Sequence, residues 1–250
     1  GAHLSIAGGL ERALQAAGRR GFETVGMFVR NQVQWRAPPL EAAAVRRFRR
    51  VRRRLRIGPV VAHGSYLVNL AGEDEVRRKS IAATAEDLAR CGRLGIEYLV
   101  LHPGSREDAA EGVRRVAAAL NEVVAACPFR RPKVLLETTA GSGRTLGGSF
   151  EQLAAILAGL DRPRRFGVCL DTCHVFAAGY DLRSAAACRR TLAAFDRVIG
   201  LGRLLAMHVN DSKGDLGSRL DRHEHIGRGR IGLGGLGHLV RDRRLAKVPM

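Results

Sequence analysis

Short apolar runs alternate with longer helical patterns along the whole chain, and this alternation limits the fold more than any other feature. The strand-like runs cover residues 24–29, 60–63, 98–102, 133–137, 166–171 and 204–210. Helical patterns fill residues 10–20, 40–55, 76–94, 113–126, 150–160 and 182–198. Strands joined by crossover helices pair in parallel. No Pro- or Ser-rich linker divides the chain, so residues 1–250 are read as one domain. Six internal runs with a strand remnant at each end predict an α/β fold, an eight-stranded TIM (β/α)8 barrel, rather than an open doubly wound sheet. Gly1-Ala2-His3 reads as the end of the first strand and Lys247-Val248-Pro249-Met250 as the start of the eighth. We therefore expect a barrel truncated in both strands, with an open seam, and a piece of a longer gene product.

Composition narrows the class. With 46% hydrophobic and 26% charged residues the chain is globular, not disordered. No apolar run nears the ~18 residues of a membrane-spanning helix. The five cysteines contain no CxxC pair, which argues against a disulfide scaffold or a Cys-based zinc ribbon and for a reducing compartment. The net charge is +18, almost all of the excess arginine, and attracts polyanions. Its densest run is Arg46-Arg47-Phe48-Arg49-Arg50-Val51-Arg52-Arg53-Arg54, with Val45, Phe48, Val51 and Leu55 on one helical face. A solvated helix face and a direct nucleic-acid role both fit that run. The glycine patterns at 227–232 and 232–237 follow no strand-like run and are not read as dinucleotide fingerprints. Gly141-Ser142-Gly143 does follow one; it is either a ligand approach or a loop that needs positive φ.

The chemistry lies at the strand ends. His63 ends the third strand, His102 the fourth, Glu137 the fifth and Asp171 the sixth, with His174 three residues on. His208 sits near the end of the seventh, followed by Asp221 and His223 in the next loop. In a parallel barrel these ends converge on one rim. Any one of them alone reads as a structural histidine or a helix cap. Five histidines and three carboxylates together read as a metal site, because such a crowd needs cations to be stable. Imidazole and carboxylate donors without thiolates suit Zn²⁺, with Mn²⁺ or Fe²⁺ as competitors, and eight donors suit two or three ions. His3 reads as a neighbour of the site, His225 and His238 as surface or structural residues, and Cys173 as a small packing residue.

These motifs resemble the endonuclease IV family of apurinic/apyrimidinic endonucleases. The matching stretches are Gly1-Ala2-His3-Leu4-Ser5, Asn31-Gln32 with Gln34-Trp35, His63-Gly64-Ser65-Tyr66-Leu67, His102-Pro103-Gly104-Ser105 and Glu137-Thr138-Thr139-Ala140-Gly141. Longer still are the stretch from Gly167 to Asp181, containing Asp171-Thr172-Cys173-His174, and that from Met207 through Asp221-Arg222-His223. The resemblance implies three zinc ions, one held by His63, His102 and Glu137. It implies a second that shares Glu137 and takes Asp171 and His208, and a third held by His174, Asp221 and His223. Glu137 would then be the bridging, catalytic carboxylate. The implied reaction cuts duplex DNA 5′ to an abasic site, leaving a 3′-hydroxyl and a 5′-deoxyribose phosphate, and trims blocked 3′ ends in base excision repair. Gln32, Tyr66 and Leu67 match the loops that probe DNA. A cytoplasmic monomer is implied as well, with Mn²⁺ as a possible substitute metal.

Two departures stand out. The resemblance implies one more metal-binding glutamate, beyond Met250, and Val33 stands where some relatives carry a basic wedge residue. Two other readings stay open at this point: a metal-dependent sugar isomerase or epimerase on the same barrel, and a catalytically impaired DNA-binding fragment.

Overall fold

The computed structural model describes residues 1–250. Seven parallel strands form one sheet in chain order: β1 (Ala2–His3), β2 (Val25–Phe28), β3 (Val60–His63), β4 (Tyr98–Leu101), β5 (Lys133–Glu137), β6 (Phe166–Asp171) and β7 (Leu204–His208). Between them run α1 (Leu10–Arg19), α2 (Ala42–Leu55), α3 (Asp74–Leu94), α4 (Ala109–Ala126), α5 (Phe150–Ala158), α6 (Thr172–Ala177) and α7 (Ala185–Val198). A two-residue strand β8 (Asp211–Ser212) pairs antiparallel with β9 (His223–Glu224), and α8 (Gly232–Val240) follows. Unbroken strand order with helices outside is the (β/α) barrel that the alternation predicts.

Strand alternation divides the core in two. Val60, Ala62, Leu99, Leu101, Val134, Leu136, Val168 and Leu170 face outward and pack on the helices in one large apolar cluster. Val61, Val100, Leu135, Cys169 and Ala206, one from each of β3 to β7, form a separate inner layer. Side chains repeat every second residue along a strand. The residues two positions on from that layer are therefore His63, His102, Glu137, Asp171 and His208. Each faces the barrel interior at the C-terminal mouth, above an apolar floor. Helix starts reinforce the layout: Asp108, Ser149 and Ser184 cap α4, α5 and α7 through side-chain oxygens.

The expected seam lies between β7 and β1, with the 247–250 segment in it. The Met207 amide donates to the Pro249 carbonyl at 2.9 Å, and the Gly1 ammonium to the Met250 carbonyl at 2.8 Å. Two elements depart from the sequence reading. The six-residue α6 begins at Thr172, directly after β6, and α8 forms across the glycine pattern at 232–237, where the sequence predicts no helix. The glycine loop before α8 has its own use: amides of Gly227, Gly229, Ile231 and Gly232 all donate to the buried Asp211 carboxylate. Those donors serve an internal anion, not a bound phosphate.

Candidate metal centre

All eight predicted donors meet at the mouth. Glu137, 1% exposed, is their hub. Its Oε2 lies 3.0 Å from His63 Nε2 and 3.1 Å from His102 Nε2, and its Oε1 lies 2.6 Å from His208 Nδ1. His174 Nδ1 stands 3.9 Å from Glu137 Oε1 and joins this group to the next. His174 Nε2 is 3.2 Å from Asp221 Oδ1 and 3.3 Å from His223 Nε2. Asp171 Oδ2 is 3.9 Å from His223 Nε2.

Four sets of donor atoms converge within 4.8 Å: His63, His102 and Glu137; Glu137, Cys169 and His208; Asp171, His174 and His223; Cys173, Asp221 and His223. Asp171 thus falls with His174 and His223. Where the resemblance implies Asp171 beside Glu137 and His208, the Cys169 thiol stands near both. Cys173 is fully buried, as a packing residue is, yet its sulfur also faces Asp221 and His223. Burial pushes each of these thiols up to about 11.

The ring contacts show why cations fit here. His63 Nδ1 lies 2.8 Å from the Gly64 carbonyl while its Nε2 faces Glu137. His174 Nδ1 lies 2.7 Å from the Thr138 carbonyl while its Nε2 faces Asp221. A neutral imidazole has one N–H and cannot donate on both sides. With Nδ1–H given to the backbone, each Nε2 faces a carboxylate and suits either a bound cation or a second ring proton. Electrostatics agree. Burial would raise the Glu137 pKa, but His208, His102 and His63 hold it well below the usual carboxylate range. Burial would lower that of His174, but Asp171, Asp221 and Glu137 outweigh it and push it up to about 10. Hydrogen bonds from His174 and His223 hold Asp221 low as well. His3, by contrast, is lowered to about 4 by burial and by His63 and His208; its ring packs edge-on to Phe28, which packs on His63.

Neighbours fix the donors. The Thr138 hydroxyl accepts the Asp171 amide at 2.9 Å, and Asn210 Nδ2 donates to Asp171 Oδ2 at 2.7 Å. Asp171 also caps α6 by accepting the His174 amide at 3.0 Å, which sets the Asp171–His174 spacing. Gly141 and Gly143 have φ of 68° and 53°, so conformation accounts for that loop. It braces the next one: Ser142 Oγ donates to the Arg219 carbonyl, and Arg219 donates back to the Gly141 carbonyl at 3.2 Å. That ties it to the loop bearing Asp221 and His223. Sequence reasoning missed Thr138, Asn210 and Cys169 as site neighbours, although each lies within two residues of a predicted donor.

The rim carries the other candidates. Tyr66 is 64% exposed, with its ring centroid 5.7 Å from that of His63. Gln32 and Leu67 are half-buried, and Val33 is 63% exposed. Ser65 Oγ donates to the Gln32 carbonyl at 2.6 Å and accepts the Leu67 amide at 3.2 Å, which joins both rim loops. Arg30, buried and paired with Asp87, donates to the carbonyls of Gln34 and Trp35 at 2.6 and 3.1 Å. His225 and His238 are exposed and apart from the site.

Comparison with known proteins follows the same line. The xylose isomerase-like TIM barrel family matches residues 14–248. The chain is 48% identical to a probable endonuclease 4 of Geobacter sulfurreducens, covering 100% of this chain and 85% of that protein. It is 46% identical to a probable endonuclease 4 of Chloroflexus aurantiacus, covering 100% and 89%. Among solved structures, endonuclease IV from Thermus thermophilus superposes with a TM-score of 0.91 at 40% identity, covering 99% of this chain and 88% of that one. A D-tagatose 3-epimerase-like protein shares the fold, with a TM-score of 0.72 at 18% identity.

Proposed function

The chain belongs to the endonuclease IV family of xylose isomerase-like TIM barrels, and from that premise we propose that it hydrolyses duplex DNA 5′ to abasic sites. The products are a 3′-hydroxyl and a 5′-deoxyribose phosphate, and blocked 3′ ends are trimmed by the same chemistry. One observation carries this reading: both oxygens of the buried Glu137 face imidazoles from three different strands. A carboxylate placed this way would be shared between cations bound on its two sides. His63, His102, Glu137 and His208 would hold one part of a zinc cluster; Asp171, His174, Asp221 and His223 would hold the other. Mn²⁺ suits the same donors. Bound cations supply Lewis acidity toward a phosphodiester and a nucleophile at neutral pH.

The chain's own residues supply position. Glu137 sets the spacing between the two donor groups. The carbonyls of Gly64 and Thr138 fix the ring orientations of His63 and His174, as outer hydrogen bonds do for metal-bound histidines. Tyr66, Leu67 and Gln32 sit on joined loops beside the mouth. An exposed aromatic ring can hold a base stack open, and an abasic nucleotide leaves no base to unstack. Selection for the lesion then needs no sequence reading. In this reading the enzyme is a cytoplasmic monomer. No helix is long and apolar enough to cross a membrane. Sugar epimerase chemistry has no specific observation in its favour, because an 18% identical neighbour speaks for the fold alone.

A nicking assay on a duplex with one tetrahydrofuran analogue tests the proposal. Cleavage 5′ to the analogue that leaves an extendable 3′ end and stops with a chelator supports it. Cleavage that persists in chelator, or a 3′ end carrying a sugar fragment, overturns it.

A further inference from the structure

The face of the barrel opposite the metal centre carries a groove of about 580 Å³ that the incision chemistry does not use. It lies where helices return to strands, between the end of α2, the α3–β4 turn and the segment before β5. Arg49, Arg52, Arg53, Arg56, Arg130 and Arg131 line it. Arg52 is committed to the fold: it pairs with Glu97 and donates to the Ile57 carbonyl at 3.0 Å. The other five form no ion pair and are exposed. Arg49, the one of these with a neighbour, reaches only the Gly92 carbonyl, at 3.4 Å. Phe129 lies on the groove floor against Gly92, where any Cβ would strike its ring.

Free arginines of this kind raise the cost of folding by mutual repulsion unless an anion meets them. Their arrangement indicates which anion. Arg49, Arg53 and Arg56 follow one another at helical spacing on one side of α2 and its end, spanning about 10 Å at 1.5 Å per residue. Successive phosphates of one DNA strand rise about 3.4 Å along the helix axis, so a run of four covers about the same length. Arg130 and Arg131 form a second bank across the groove. Two rows suit a linear polyanion, whereas a small anion needs donors aimed at one point. A duplex seated at the metal centre lies on the other face of the barrel and cannot supply these phosphates.

We propose that this groove binds the phosphodiester backbone of a second DNA segment while the metal centre faces the first. The enzyme thereby stays on undamaged DNA between lesions. This goes beyond the incision chemistry and rests on the reading that the metal centre acts on DNA.

The test compares the intact enzyme with two variants of equal charge. In one, Arg49, Arg53, Arg56, Arg130 and Arg131 become serine. In the other, Arg78, Arg114, Arg189, Arg190 and Arg197 do, all exposed and unpaired on the outer helices. Fluorescence anisotropy reads binding of a short undamaged duplex across a salt series, and single-turnover nicking of a short abasic duplex reads the metal centre. The groove variant is expected to lose at least about tenfold in affinity and about 0.9 of salt slope per phosphate contact. Its nicking rate at saturating enzyme stays at the parental value, and the outer-helix variant binds nearly as the parent does. Equal losses in both variants overturn the proposal, because net charge then explains the binding. A nicking rate that falls with the groove arginines also overturns it, as does displacement of the duplex by inorganic phosphate beyond a chloride control of equal ionic strength.

Discussion

Arg30 Nε lies 2.6 Å from Asp87 Oδ1, and neither side chain is more than 3% exposed. The pair joins the end of β2 to α3, and the remaining guanidinium donor holds the loop that presents Gln32. Removing one partner leaves a buried charge alone, at a cost of about 3–5 kcal/mol. Asp87→Ala is therefore expected to lower the urea midpoint strongly, while Arg30→Met with Asp87→Leu recovers most of the loss. If the single variant unfolds with the parent, the pair does not hold this loop.

Glu137→Gln keeps the volume and removes the charge. Lewis-acid stabilisation is worth several kcal/mol, and about 4 kcal/mol corresponds to roughly 10³ in rate. Single-turnover nicking is expected to fall at least that far, with metal content reduced and far-UV dichroism unchanged. Parental nicking by this variant would remove Glu137 from the centre of the site.

How much of this could be read beforehand depended on the distance over which each feature is encoded. Strand ends are local, so the rim positions of His63, Glu137 and His208 followed from the strand-like runs alone, whereas the inner layer of β3 to β7 emerged only from the structure. Helix α8 did not follow from the sequence either, because its glycines have poor helix propensity. Tertiary packing requires one of them: a Cβ on Gly235 would come within 2.4 Å of the Leu182 carbonyl. The Arg30–Asp87 pair spans 57 residues and has no local signature. The place of Asp171 beside His174 and His223 depends on how the β8–β9 hairpin folds over the mouth, which no strand pattern encodes.

Asn210 touches Asp171 rather than any reacting atom. Outer hydrogen bonds to metal ligands are typically worth about 10–100-fold in metal affinity or activity. Asn210→Ala is expected to weaken metal retention in that range during dialysis against a competing chelator. The nicking rate should return when metal is added in excess. A loss that excess metal does not restore would point to a role for Asn210 in folding instead.

Tyr66 is exposed enough that Tyr66→Ala should leave stability within about 0.5 kcal/mol. Ring stacking against nucleic acid is worth about 1–3 kcal/mol, or roughly 5- to 150-fold in Kd. The variant is expected to bind an abasic duplex more weakly by that factor, with unchanged metal content. Equal affinity for variant and parent would remove the ring from the DNA contact.

On the proposed reading, bound cations would also hold the mouth together. Glu137 and Asp171 are 1% and 0% exposed, so their charges are met inside the protein. A ligand that binds only the folded state stabilises it by about 2.7 kcal/mol at a hundred times its Kd. Stripping the enzyme with a chelator is therefore expected to lower Tm by several degrees, and Zn²⁺ should restore it stepwise up to two or three equivalents. The same titration on Glu137→Gln should saturate at fewer equivalents, because the two donor groups lose the carboxylate between them. A Tm indifferent to chelator would mean that imidazolium protons alone satisfy Glu137, and the cluster would then be a salt-bridge network rather than a metal centre.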